Sequence, residues 1–187
     1  ESISDLEKLI DTLEILIEKK KNIKQGTTQE LLTGKRRLDG FSEEWSSRLL
    51  GDMLDYEQPT KYLVKNIEYD DKYNTPVLTA GKSFILGYTP EENNTFQNVP
   101  VIIFDDFTTS SKYVDFSFKA KSSAMKILKL KNENVNLKFV YERIQLINFL
   151  VGVHKRYWIS EFSNLSIKVP EFKEQNKISQ IISDMEL

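Results

Sequence analysis

The chain has 187 residues, with 26 Lys and Arg against 28 Asp and Glu, a single His and no Cys. This composition excludes thiolate catalysis, thiolate metal sites and any site that needs two imidazoles, and a hydrophobic content of 40% is typical of a globular domain. No apolar run approaches the ~20 residues of a membrane span and the polar start lacks the layout of a signal peptide, so we expect a soluble, cytoplasmic protein.

Charge is segregated along the chain, although the net charge is only −2. Residues 1–18 carry one Lys against six acids, whereas residues 19–37 carry seven bases against one acid. Residues 112–131 carry six bases against one acid. The average therefore argues against bulk attraction to DNA but leaves two basic blocks that could contact phosphate groups.

The first 33 residues are predicted to be mostly helical. Apolar residues recur at alternating spacings of three and four, as in a heptad repeat, at Ile3, Leu6, Ile10, Leu13 and Ile17. Gly26 is expected to interrupt the helix, and Thr27 with Glu30 has the form of a capping box that starts a short second helix, which Gly34 can close. The apolar stripe either lies on the core of its own domain or pairs with another helix as a coiled-coil arm.

After a basic linker, the heptad spacing gives way to short apolar runs. Short β-branched and aromatic runs bounded by Gly, Pro and Asn predict strands at 76–79, 83–86, 101–104 and 125–130. Helical spacing predicts a helix over 135–150.

A last strand is predicted at 165–170, and a second amphipathic helix starts near residue 174, with Ile178, Ile182 and Met185 on one face. The predicted fold class is α+β, with one globular domain of mixed sheet and helices. A long coiled-coil-type helix precedes this domain and the start of a second helix follows it.

The sequence contains little that would support catalysis. It has no Gly-rich phosphate loop, no adenine-methyltransferase tetrapeptide and no serine in a nucleophile elbow. Asp105 and Asp106 follow an apolar strand, as the acids of metal-dependent nucleases do, but a polar turn is the ordinary interpretation. We therefore assign no catalytic or metal-binding residue and rank a nuclease last among the alternatives.

Two clusters favour contact with DNA. Residues 108–113 place four hydroxyls, an ammonium and a phenol together, and residues 154–158 combine basic and aromatic side chains, which are groups that bind phosphate oxygens and base edges. The predicted DNA-binding residues, with the basic linker and one further lysine, are Lys35, Arg36, Arg37, Lys82, Thr108, Thr109, Ser110, Ser111, Lys112, Tyr113, His154, Lys155, Arg156 and Tyr157.

Several segments together resemble a known family. The run KQGTTQELLTGKRRL at 24–38, followed by GF, EW and LGD within residues 40–52, resembles the junction between a conserved helix and a target-recognition domain in specificity (S) subunits of type I restriction-modification systems. VP at 169–170 and EQNKI at 174–178 are similar to the entry into that family's next conserved helix. VIIFDDFTT from residue 101 and KYVDF from residue 112 are similar to one class of its recognition domains.

The resemblance implies a non-catalytic reader of DNA. It divides the chain into a conserved helical region (1–33), a linker (34–40), a target-recognition domain (41–170) and the start of a second conserved helix (171–187). The chain itself would need no cofactor, since modification subunits carry S-adenosylmethionine and restriction subunits use ATP and Mg²⁺. Expected partners are double-stranded DNA and those two kinds of subunit, with no membrane.

The chain departs from the family in having one recognition domain where a full S subunit has two. A half subunit or fragment is therefore implied, and we expect a homodimer, or pairing with another S half, that restores two readers of a split, palindromic site. The predicted helix-helix interface comprises Ile3, Leu6, Ile10, Leu13, Ile17, Ile178, Ile182 and Met185. A truncated S protein that binds the modification subunit without reading DNA is the main alternative.

Overall fold

The computed structural model describes residues 2–81, 83–152 and 155–185, in which four α-helices and nine strands are present. The helices are α1 (Ser2–Thr33), α2 (Leu50–Met53), α3 (Leu137–Gln145) and α4 (Phe172–Asp184). The strands are β1 (Ser46–Leu49), β2 (Leu54–Glu57), β3 (Thr75–Leu78), β4 (Ile85–Thr89), β5 (Val101–Asp105), β6 (Ser111–Val114), β7 (Lys119–Ala120), β8 (Met125–Leu130) and β9 (Ser166–Val169). The predicted α+β class with a long N-terminal helix is confirmed.

Helix α1 is continuous, so the predicted interruption at Gly26 is wrong. Gly26 has no neighbouring atoms within 4 Å of a Cβ position, and the backbone bonds of the flanking turns continue through it at a local cost of about 1 kcal/mol. Gly34 ends the helix as predicted. Its φ of +71° suits glycine, its N–H donates to the carbonyl of Leu31, and a Cβ there would meet the ring of Trp45 at 3.4 Å.

Three sheets build the body of the protein. Strands β2, β8, β5 and β6 form an antiparallel sheet in that order, and β4, β3 and β7 form a mixed sheet in which β3 and β7 are parallel. Strands β1 and β9 pair antiparallel, with Ser46 opposite Val169. Strands β1, β2, β6 and β7 were not predicted, because they are short and polar residues lie among their apolar ones.

The four-stranded sheet separates two hydrophobic cores. On β5, Ile102 and Phe104 face a core built with the four helices, whereas Val101 and Ile103 face a core shared with the mixed sheet. Burial on both faces explains why the β5 sequence is an uninterrupted apolar run. The loop after β5 therefore begins at a strand that is packed on both faces.

Helices α3 and α4 are tied together where they begin. Asn136 caps α3 by accepting the N–H of Phe139 at 2.8 Å, and its own N–H donates to Oε1 of Gln175 at 2.9 Å. The side chain of Asn136 also bonds Asn176 and Ser179 on α4. Helix α3 ends at Gln145, five residues before the predicted end.

Among the described residues, no helix is long and apolar enough to cross a membrane.

Candidate nucleic-acid interface

The two clusters predicted to contact DNA lie side by side. The main-chain oxygen of Asp106, just after β5, accepts the N–H of Tyr157 at 3.0 Å. Oδ1 of Asp106 accepts the N–H of Trp158 at 2.9 Å and that of Tyr157 at 3.2 Å. The β5–β6 loop (106–110) and the segment 155–161 are therefore one surface, which we call the paired-loop surface.

Residues next to these bonds face outward. The guanidinium of Arg156 lies 5.7 Å from the centre of the Phe107 ring, and both residues are exposed. Lys155 is also exposed, and its ion pair with Glu161 raises the pKa of the lysine above its usual range. The surface thus presents cations beside an exposed aromatic ring.

The β5–β6 loop is held in an unusual backbone conformation. Oδ1 of Asp105 accepts the N–H of Phe107 at 2.9 Å, and the Asp105 carbonyl accepts the N–H of Thr109. Thr109 has a φ of +59°, which a β-branched residue adopts only at a cost of about 1–3 kcal/mol. Strain of this kind is concentrated at functional sites, which supports a binding role for the loop.

The structure divides the predicted residues of this loop and of β6. Thr108, Ser110 and Lys112 are exposed and can contact a ligand. Ser111 is buried, and its hydroxyl accepts from the amide of Gln145 at 2.7 Å. Residues 111–113 belong to β6, so the predicted loop is shorter than expected.

Two aromatic residues of the predicted set are packed within the domain. Tyr157 is 2% exposed, and its hydroxyl accepts from the N–H of Gly152. We therefore give Tyr157 a structural role, contrary to the sequence-based prediction. Tyr113 is half-buried against Tyr141 and the ammonium of Lys138, and burial raises the pKa of the Tyr113 phenol.

The basic linker makes a different kind of contact from the one predicted. Arg37 forms a two-pronged ion pair with Glu174 of α4, with both N–O distances at 2.9 Å, and Glu174 is 1% exposed. Trp45 Nε1 donates to the same carboxylate at 3.2 Å. The hydrogen bond to Glu174 and the attraction of its negative charge raise the pKa of Arg37. Arg37 therefore joins the linker to α4, while Lys35 and Arg36 remain exposed.

The basic block at 112–131 is not a continuous exposed stripe. Lys119 and Lys126 are each 2% exposed and pair with Glu91 and Asp106, respectively. Lys129 pairs with Glu57 at 2.7 Å. The sequence alone could not separate buried lysines from exposed ones, because their acidic partners lie far away along the chain.

The remaining predicted DNA-binding residues, Lys82 and His154, lie outside the described residues.

The predicted helix interface also divides into two parts. The α1 residues of the stripe are exposed, from 48% for Leu13 to 73% for Ile3, so this part of α1 does not lie on its own domain's core. Ile178 and Ile182 of α4, in contrast, are 1% exposed and belong to the core that also contains Leu31 and Leu32 of α1, so their contacts lie within the chain. Met185 is half-buried beside Ile17 and other α1 residues, in a groove of about 410 Å³.

The geometry does not favour the nuclease alternative. Asp106 is 3% exposed and bonded to a lysine, and the Asp105 carboxylate accepts main-chain N–H groups of its own loop. Within the described ranges, no group of three or more His, Asp or Glu side chains could hold a metal ion. These acids shape the loop instead.

The chain is similar in sequence to proteins of one known family. Residues 42–187 match the family described as the type I restriction modification DNA specificity domain. Over 138 residues, 71% of the chain, it is 54% identical to the type I restriction enzyme EcoR124I/EcoR124II specificity subunit of Escherichia coli. The aligned part is 34% of that protein, so the chain spans about a third of this relative's length.

Solved structures share the fold at low sequence identity. The type I restriction-modification S subunit from M. genitalium superposes with a TM-score of 0.71 at 13% identity, over 94% of this chain and 50% of that one. The HsdS subunit from Thermoanaerobacter tengcongensis gives a TM-score of 0.55 at 13% identity, over 96% of this chain and 47% of that one.

Proposed function

Because the chain belongs to the family of type I restriction-modification DNA specificity domains, we propose that it reads one part of a split DNA target and directs partner subunits to that site. Members of this family are DNA-recognition components without catalytic chemistry of their own. The observation that carries the proposal is the paired-loop surface, where Thr108, Ser110 and Arg156 are exposed, together with the exposed Lys112 of β6 next to it. These groups suit hydrogen bonds to base edges and phosphates.

We propose further that modification and restriction subunits supply the chemistry. S-adenosylmethionine, ATP and Mg²⁺ would be bound by those subunits, and the assembly would act in the cytoplasm, where its DNA target lies. Lys35 and Arg36 would add phosphate contacts at the junction of the linker.

DNA reading is tested by charge-matched substitutions. The target is first obtained by sequencing methylated bases in cells that contain the modification subunit and this chain. Lys112→Ala and Arg156→Ala should each weaken binding to that target by about 1–3 kcal/mol if the side chain contacts a base. Lys72→Ala removes the same charge from the exposed loop beside β4 and should change binding little. Unchanged binding and unchanged specificity in both test variants would exclude this assignment.

The exposed α1 stripe supports a second proposal, that two copies pair through this helix. The acidic residues 1–18 and the basic residues 19–37 favour an antiparallel pair, because each acidic half then lies beside a basic half of the partner. Two identical halves would read a palindromic split site. Such a pair would bury the exposed α1 stripe without Ile178 and Ile182 of α4, which are already buried in the core.

Sedimentation tests this pairing. The wild-type chain should be dimeric at tens of micromolar, and Leu13→Lys, in the middle of the exposed stripe, should be monomeric. Lys173→Glu, at an exposed position of α4, is a control that should leave the dimer intact. A monomeric wild type would contradict the pairing.

The main alternative, a module that binds the modification subunit without reading DNA, is also favoured by the exposed stripe on α1. It predicts a complex with the modification subunit and no measurable affinity for any duplex. The binding experiment above therefore separates the two functions.

A further inference from the structure

A buried ion pair lies directly beneath the paired-loop surface. Nζ of Lys126 on β8 is 3.2 Å from Oδ2 of Asp106, and the two side chains are 2% and 4% exposed. The same ammonium lies 4.4 Å from the centre of the Tyr56 ring. Buried ion pairs contribute little net stability, because the loss of hydration offsets the attraction, so this pair calls for another explanation.

The two carboxylate oxygens of Asp106 bond different partners. Lys126 fixes Oδ2, and Oδ1 accepts the N–H groups of Tyr157 and Trp158, which lie 51 and 52 residues further along the chain. The lysine therefore sets the orientation of the carboxylate that holds the second segment. Trp158 and the Asp106 main chain belong to rigid surroundings, since Trp158 packs against Phe104 of β5 at 5.4 Å.

This arrangement fixes the distance between the two parts of the surface. Phe107 follows Asp106 directly and Arg156 precedes Tyr157 directly, so the bonds of Asp106 lie one residue away from exposed groups on both sides. Recognition of base edges needs side chains held to within about 0.5 Å, which bonds from a buried, oriented group can provide.

We propose that Asp106, whose carboxylate pairs with Lys126, is a positioning residue for DNA recognition, which sets the spacing between the β5–β6 loop and Arg156 and thereby determines sequence discrimination without touching DNA. This inference rests on the proposed function. It assigns Asp106 neither to catalysis nor to an ordinary turn.

Two double variants with the same net charge as the wild type test the proposal. Asp106→Asn with Lys126→Met removes both charges but keeps a side-chain oxygen that can accept from Tyr157 and Trp158. Asp106→Leu with Lys126→Met replaces both charged groups by apolar groups with the same branching or length and removes that acceptor, so the N–H of Trp158 loses its side-chain partner while that of Tyr157 keeps the main-chain oxygen of residue 106. Because both variants remove one positive and one negative charge, nonspecific attraction to DNA should be the same in both.

Affinity is measured for a duplex that the wild-type chain selects from a randomised library and for a scrambled duplex of equal length. The variant with Asn should keep the wild-type ratio of the two affinities within about threefold. The variant with Leu should lose at least about tenfold of that ratio, at an unchanged affinity for the scrambled duplex, a loss of about 1.4 kcal/mol of discrimination. An unchanged ratio in the variant with Leu would overturn the positioning role.

Hydrogen exchange of the wild type gives a second measurement, which does not depend on the folding of a variant. The amides of Tyr157 and Trp158 should exchange at least about 100-fold more slowly than unprotected amides. Rapid exchange at both would overturn the proposal. A wild-type chain that selects no sequence at all would instead refute the proposed function, so the two failures are distinguishable.

Discussion

Replacing Arg37 by Met should destabilise the fold strongly, although a basic linker would ordinarily tolerate such a change. The substitution leaves the Glu174 carboxylate, 1% exposed, without its cation. Breaking a fully buried pair in this way costs about 3–5 kcal/mol. The side chain of Arg37 is 29% exposed, so water can reach part of the site and we expect the lower limit, about 3 kcal/mol.

Urea unfolding followed by tryptophan fluorescence measures this loss, since Trp45 donates to Glu174 and Trp158 is buried in the core. For a chain of this size, 3 kcal/mol corresponds to a decrease of about 6–12 °C in Tm. Arg36→Met is the matched control, because Arg36 is the exposed neighbour of Arg37, and it should cost less than about 0.5 kcal/mol.

A double variant separates the ion pair from the packing of Arg37. Arg37→Met with Glu174→Gln removes the buried charge while keeping an acceptor for Trp45, so it should be more stable than Arg37→Met alone by about 2 kcal/mol. Equal stabilities of Arg37→Met and Arg36→Met would refute the reasoning. So would a smaller salt dependence of DNA binding in Arg37→Met, because that result would indicate a phosphate contact.

Three further predictions concern the backbone and pH. Thr109→Asn should stabilise the fold by up to about 1 kcal/mol in thermal unfolding, since Asn tolerates the positive φ better than Thr. Asn94→Thr, at a φ of 54°, should destabilise the fold. A change of stability in the same direction in both variants would contradict this account. The hydrogen bond from Lys129 lowers the pKa of Glu57, so this carboxylate stabilises the fold above its unfolded pKa of about 4.3 and loses that effect as the pH falls through the lower, folded value. Glu57→Gln should therefore weaken the dependence of urea midpoints on pH in that acidic range, and an unaltered dependence would count against the pair. Gly26→Ala should raise helix content by circular dichroism and stabilise α1 by about 1 kcal/mol, and a loss of helix content would contradict the continuity of α1.

The elements that the sequence predicts correctly are those whose residue pattern lies within a short stretch of the chain. The β5 run is apolar because the strand is buried on both faces, and the heptad spacing of α1 appears directly in the sequence. The prediction at Gly26 is wrong because a capping signal competes with helix continuation there. The local sequence does not show which of the two has the lower free energy.

The sequence indicates which residues of the candidate site could contact DNA, but not which residues they bond within the folded chain. The sequence predicts a phosphate contact for Arg37 because its partner, Glu174, lies 137 residues away. It predicts a turn residue or a nuclease acid at Asp106 for the same reason, since Lys126 and Trp158 are its neighbours only in the folded chain. Exposure is likewise a property of the fold, which is why Tyr157 could not be separated from Arg156 beforehand.

The pairing of β1 with β9 has a consequence for how the protein can be altered. Because Ser46 lies opposite Val169, the chain enters and leaves the body at neighbouring points, roughly 5 Å apart as in any antiparallel pair. The intervening segment of about 120 residues is thus joined to the helices at two neighbouring points, like an inserted domain, and we call it the cassette. Exchanging that cassette between relatives at these two strands should change which DNA sequence is read while the helices keep their geometry.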